Sequence, residues 1–198
     1  MSEAALTLDG LACRRGDRLL WRGVSARLAA AGALHVTGAN GIGKSSLIRI
    51  IAGLLPAEAG RVSVIGAAGL VDEAHALDRD QPLARALDLW ARIDSAGSTG
   101  VGAAIERLGI AHLADVPVRI LSTGQRKRAA LARLLVSNAR LWLLDEPANG
   151  LDRAGVGLLE ALIADHRQSG GALVLASHQA LGVADAALLD LAEYQPCA

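Results

Sequence analysis

Eight consecutive residues, Gly38-Ala39-Asn40-Gly41-Ile42-Gly43-Lys44-Ser45, place three glycines within six positions and then an ammonium and a hydroxyl side by side. Without Cβ atoms the backbone can turn successive N–H groups inward around an anion too large for an ordinary helix cap. The G-x-x-x-x-G-K-S spacing is that of a phosphate loop, so the implied ligand is a nucleoside triphosphate. Lys44 is placed to reach its β- and γ-phosphates, and the Ser45 hydroxyl offers the small oxygen ligand that Mg²⁺ takes. A glycine-rich turn could match by chance, and the flanking elements argue against that. Leu34-His35-Val36-Thr37 reads as a strand feeding the loop, and Ser46 to Leu54 reads as a helix, with Leu47, Ile50, Ile51 and Leu54 at helical spacing and Gly53 as its stop. The loop therefore opens onto the positive end of a helix that begins at or near Ser46.

Further chemistry lies downstream. Leu141-Trp142-Leu143-Leu144 is a continuous apolar run of the kind a fully covered parallel strand needs, and Asp145-Glu146-Pro147 follows at once. Two adjacent acids at the end of a buried strand are costly without a cation nearby. Mg²⁺ supplies the reason: Asp145 would hold the metal through water and Glu146 would take the proton of the attacking water. Leu121-Ser122-Thr123-Gly124-Gln125 precedes a helix expected over Gln125 to Val136 and rich in Arg126, Lys127, Arg128 and Arg133. Its serine and glycine can present a hydroxyl and N–H groups to a second anion, although such a pentapeptide alone is usually only a helix cap.

The elements that must position these groups alternate in type. Residues 4 to 37 predict short strands with turns at Arg14 to Asp17 and at Ala31-Gly32, an antiparallel edge leading into the phosphate-loop strand. Val62 to Ile65 and Gly69 to Val71 predict two more strands, the second running beside the phosphate-loop strand. From Pro82 the period becomes helical, with Leu83, Leu87 and Trp90 on one face. A break at Ser95 to Gly100 follows, then a second helix over Val101 to Leu108. A helix over Arg153 to His166, a break at Gly170-Gly171 and a strand over Ala172 to Ala176 complete the pattern. The expected architecture is an α/β P-loop core over about 1–72 and 137–198, with an antiparallel β edge and an inserted helical lobe over about 73–136.

In this order the segments resemble the nucleotide-binding subunit of ATP-binding-cassette (ABC) transporters over nearly the whole chain. Gly38 to Ser45 looks like that family's Walker A motif, Leu121 to Gln125 like its LSGGQ signature, and Leu141 to Glu146 like its Walker B. Asn149-Gly150-Leu151-Asp152 is similar to its D-loop, and His178 to its switch histidine. The resemblance implies ATP hydrolysis in a homodimer. ATP is sandwiched between Walker A of one subunit and Ser122, Thr123, Gly124, Gln125 and Asp152 of the other. Glu146 and His178 are catalytic, and Ser45 and Asp145 lie at Mg²⁺. Departures are informative. Arg15 stands near the position of the aromatic residue that stacks on adenine, and a guanidinium can stack there. Thr123 replaces a glycine of the signature. Where a glutamine links the site to the membrane partner, the chain has Asp72-Glu73, with His75 and Gln81 beyond; Glu73, with the longer reach, is the expected metal-side and coupling residue. The small size, the Leu-Trp-Leu-Leu-Asp-Glu-Pro spelling, and Gly170-Gly171 followed by Ser177-His178-Gln179 look most like the ATP-binding subunit of the haem export system of cytochrome c maturation. Export of a lipid, drug or peptide, or soluble non-transport ABC work, are the alternative readings.

Composition bounds the rest. At 198 residues the chain holds one well-buried domain. Acidic and basic residues balance at 20 each, so no global field points to nucleic acid. Aromatic residues make up 2% with no Phe, so the core must be built from Ala, Leu, Val and Ile. Cys13 and Cys197 stand near opposite ends, without metal-ligand spacing, which suits a reducing compartment. The first residues lack a signal-peptide pattern, and every long apolar run is broken by charge. These features predict a soluble cytoplasmic chain with no nucleic-acid partner, and the resemblance implies a peripheral subunit on the cytoplasmic face of the bacterial inner membrane, working with integral membrane permease subunits.

Overall fold

The computed structural model describes residues 4–74, 76–93, 100–137, 139–178 and 181–196. His75, Gln179, Cys197 and the break over 95–99 lie outside the described residues. Two long strands, β1 (Ala4–Arg15) and β2 (Arg18–Ala29), open the chain as an antiparallel hairpin. The sequence predicts short strands here, parted by the turn at Arg14 to Asp17. The observed strands have 12 residues each, and register shifts such as that between Leu8 and Leu11 absorb the interruptions without ending the ladder. With β4 (Ala59–Val64) they form a three-stranded sheet in the order β2-β1-β4.

The second sheet is parallel and has the order β5-β6-β7-β3-β8. It comprises β3 (Ala33–Thr37), β5 (Ala68–Val71), β6 (Leu141–Asp145), β7 (Ala172–Ala176) and β8 (Ala187–Asp190). Two corrections follow. β5 pairs with β6 and lies away from the phosphate-loop strand β3, whose neighbours are β7 and β8. β8 itself is an element the sequence reading lacks. Every residue of β6 and β7 is buried, and alternation divides them between two cores. Trp142, Leu144, Leu173 and Leu175 face one core, shared with α2 (Leu83–Ile93), α3 (Val101–Arg107), α4 (Thr123–Val136) and α5 (Arg153–Gln168). Leu141, Leu143, Val174 and Ala176 face the other, shared with α1 (Lys44–Ile51) and the antiparallel sheet. Covering both faces explains the uninterrupted apolar runs, since each fully buried leucine contributes about 2 kcal/mol.

The helix α5 ends against the sheet through His166, whose ring stacks on Trp142 at 4.0 Å between centroids, with its Nε2 3.2 Å from the Ala172 carbonyl oxygen. Burial holds this imidazole below its ordinary value, with the Ala172 and Arg140 carbonyls opposing. The unfolded chain therefore binds the proton more readily. This contribution to stability is fully present above about pH 6.5 and is lost as the pH falls through the depressed native value. Urea denaturation at a series of pH values should show His166→Phe, which keeps the stack, losing less stability than the parent on acidification below about pH 6.5. Parallel profiles for the two proteins would remove the histidine from this role.

Candidate functional site

The phosphate loop joins the end of β3 to α1. Gly43 is the N-cap of α1 at φ +109°, and a Cβ there would lie 2.6 Å from Trp21 Nε1 and 2.9 Å from Leu20 Cδ1. Both the backbone angle and the space therefore require glycine. The start of α1 has no side-chain cap and no acid in its first turn, which leaves its N–H groups for an anion. Lys44 is buried at 7% exposure, and its Nζ donates to the carbonyls of Gly38 at 2.8 Å and Ala39 at 3.3 Å. Ile42 turns its side chain into the core, so only its backbone is available to a ligand. Asn40, Gly41, Ser45 and Ser46 line an open cleft of about 650 Å³ above the loop.

Asp145 closes β6 at 6% exposure. Burial pushes its carboxyl above the usual range, while a hydrogen bond from the Ser45 hydroxyl opposes this and the charge of Glu146 adds to it. Glu146 adopts φ +46°, a left-handed conformation that costs a non-glycine residue about 1–3 kcal/mol and must be held by its surroundings. Its N–H donates to the Ala176 carbonyl at 2.8 Å. Its carboxylate accepts from the His178 backbone N–H at 3.3 Å and lies 3.4 Å from His178 Nε2. Glu146 and His178 line the same cleft as the loop. Of the acids after β5, Asp72 is buried at 8% exposure, 3.6 Å from Arg49, and its charge acts on Asp145. Glu73 is exposed on the turn that follows. The difference is one of register, because β5 ends at Val71 and the Asp72 carboxylate folds back to accept from the Ala74 N–H at 3.0 Å.

The hairpin end of β1 and β2 brings Arg15 to the cleft, and with it Arg18 and Leu20. Arg18 is absent from the sequence reading, and Asn149, expected only as part of the D-loop-like turn, also lines the cleft. Arg18 is the register partner of Arg15 across the turn, a neighbour that hairpin pairing alone could have supplied.

Ser122, Gly124, Gln125 and Asp152 line a separate recess of about 410 Å³. Ser122 caps α4, so the helix starts at Thr123, earlier than the expected Gln125. The Ser122 side chain accepts from the Gln125 N–H at 3.3 Å, and the Ser122 N–H donates to Gln125 Oε1 at 2.8 Å. Thr123 packs its methyl group against Gly150, and Gly124 faces the Gly150 carbonyl so closely that a Cβ would sit 2.9 Å from it. The signature and the 149–152 turn are thus interlocked. Asp152 caps α5 through the Gly155 N–H at 2.8 Å and pairs with Arg128 at 3.1 Å; these contacts hold its carboxyl below the usual range. The basic residues of α4 make internal ties. Arg126 reaches the Leu121 carbonyl, Arg128 the Leu108 carbonyl, Arg133 the Leu70 carbonyl and the Trp90 ring, and Lys127 the Glu146 carbonyl. Among the described residues no helix is long and apolar enough to cross a membrane.

Residues 21–149 match the ABC transporter family. The "Cytochrome c biogenesis ATP-binding export protein CcmA" of Sphingopyxis alaskensis is 55% identical over 180 residues, covering 91% of this chain and 93% of that protein. The protein of the same name from Novosphingobium aromaticivorans is 51% identical over 99% of this chain and 100% of its own length. Among solved structures, a Pyrococcus furiosus chain described as an ABC transporter ATP-binding protein superposes with a TM-score of 0.82 at 20% identity, covering 96% of this chain and 99% of its own; it bears on the fold. A phosphate loop, a buried acid paired with its serine and a carboxylate turned to the same cleft stand on the fold of that family, and the chain belongs to the ABC transporter family as an ATP-hydrolysing subunit.

Proposed function

We propose that this subunit hydrolyses ATP to drive haem export or release in cytochrome c-type biogenesis. The observation that carries the reading is identity of 55% and 51%, over nearly the full length of both chains, to two proteins named for cytochrome c biogenesis export. Its partners on this reading are CcmB- and CcmC-like integral membrane permease subunits and a second copy of itself, at the cytoplasmic face of the inner membrane. The helical lobe over about 73–136 moves against the core, and Glu73, exposed on the turn at the lobe boundary, is the contact that moves with it.

ATP would lie along the cleft, its phosphates on the loop from Gly38 to Ser46 and its base beside Arg15, with Arg18 and Leu20 next to it. Lys44 would exchange its contacts with the loop carbonyls for the β- and γ-phosphates. The residues present fit Mg²⁺, because a desolvated Asp145 carboxylate and the Ser45 hydroxyl are hard oxygen donors already in contact. Bound there, the ion would neutralise charge on the phosphates. Glu146 takes a proton from water as the water oxygen bonds to the γ-phosphorus and ADP leaves, and His178 holds the Glu146 carboxylate in the cleft. Ser122, Thr123, Gly124, Gln125 and Asp152 would complete the site of the other subunit.

The function is tested in the bacterium that encodes the chain, by deleting its gene and restoring either the parent or the Lys44→Ala variant. Haem-stained c-type cytochromes should vanish on deletion and return only with the parent, while b-type cytochromes persist. Normal c-type cytochromes in the deletion strain would sink the haem reading and leave export of another substrate.

A further inference from the structure

Lys127 sits on α4 among Ala129, Ala130 and Leu131, yet it is an ammonium at 2% exposure. An apolar side chain would fill such a position without the cost of desolvating a charge. Its hydrogen bond is to the main-chain carbonyl of Glu146, at 3.2 Å. That peptide follows the residue held at φ +46°. On the other side, the Glu146 N–H is held by Ala176 of β7 at 2.8 Å. Two different elements thus grip the left-handed residue, the central sheet through its N–H and the signature helix through its carbonyl. The charges felt at Lys127 are those of Glu73, Asp145, Asp72 and Glu146, so the ammonium lies within a field of carboxylates from two strand ends. Burial lowers its affinity for its proton, and these carboxylates oppose the effect.

We infer that Lys127 is a positioning residue: it clamps the backbone of Glu146 to the signature helix of the same subunit and thereby aims the carboxylate into the cleft. Thr123 and Lys127 stand one helical turn apart on α4, so a displacement of the signature end reaches the Glu146 peptide through a single turn of helix. The inference rests on Glu146 acting as the base.

The test is a double-mutant cycle in the transporter assembled with its membrane subunits, measuring steady-state and single-turnover hydrolysis and nucleotide affinity. Lys127→Met should lower turnover about tenfold while the KM for ATP stays within about twofold, because orientation is lost and binding is not. Lys127→Gln, which keeps an N–H donor without the charge, should recover part of the loss, to between about a third and about two thirds of the parent rate. In the Glu146→Gln background, Lys127→Met should change residual turnover by less than about twofold, since a residue acting through the carboxylate has nothing left to aim. Parent-like turnover of Lys127→Met, a loss confined to KM, or an equal fold-loss in both backgrounds overturns the inference. If the methionine variant does not fold, the cycle runs with Lys127→Gln, where a rate at or above the parent's or an equal loss in both backgrounds has the same effect. Full activity of Glu146→Gln alone would instead overturn the base assignment on which the inference rests.

Discussion

Glu146→Gln should leave ATP bound and nearly stop its hydrolysis, with turnover falling by about 10²-fold or more, the usual scale for a positioned base. The geometry makes this a clean substitution. The Glu146 carboxylate is held by the His178 backbone N–H, and an amide oxygen can accept the same bond. The left-handed backbone stays held by Ala176 and Lys127, and only the capacity to take a proton is lost. ATPase assays on the assembled complex, beside equilibrium titration with a fluorescent ATP analogue, read both halves. Near-parent turnover with parent affinity would remove Glu146 from the base role.

Ser122→Arg has the other large effect, on assembly. In the Glu146→Gln background ATP should persist long enough to hold two subunits together. An arginine at position 122 would then place a long side chain where the other subunit's γ-phosphate must lie. One subunit should remain folded, because the loss is confined to an exposed helix cap worth about 1 kcal/mol. It should still bind ATP, since the recess around Ser122 is separate from the cleft above the loop. Size-exclusion chromatography with ATP should show a dimer for Glu146→Gln and a monomer for the double variant. A dimer peak for both would count against a site shared between subunits.

Legibility in the sequence followed how local each determinant is. The phosphate loop was readable because its glycines, its lysine and its serine act within eight residues, and because strand and helix periodicity bracket it. β6 and β7 were readable because complete burial leaves runs that are apolar throughout, save for Asp145 at the end of β6. The turns expected at Arg14 to Asp17 and at Ala31-Gly32 stand where β1 gives way to β2 and β2 to β3, and β1 and β2 differ from the expectation only in length, because the ladder runs on through irregularities near Gly10 and Gly23. β8 was missed because four residues, Ala-Leu-Leu-Asp, have no pattern of their own and become a strand only by pairing with β3. The same holds at the site. Arg18 and Asn149 enter the cleft through tertiary packing. Asp72 is distinguished from Glu73 only by where β5 stops and how the turn folds back. Lys127 reads as one more charge on a basic helix until its surroundings show that it is interior. Strand order is not a local property either, which is why β5 was expected beside β3 and lies beside β6.

The reciprocal cap at Ser122 and Gln125 bears on how two subunits part company. The box satisfies the Ser122 and Gln125 N–H groups from within the chain. On the shared-site reading, a phosphate from another subunit that takes the Ser122 N–H trades places with Gln125 Oε1, so association includes an exchange of partners at each helix end. Such a trade is close to neutral unless the incoming group is a better acceptor than a neutral amide, which a polyanion is and water is not. Nucleotide then serves as a removable cap common to two chains. Once its terminal phosphate leaves, each helix can close on itself again, and the refolded box becomes a local driving force for separation.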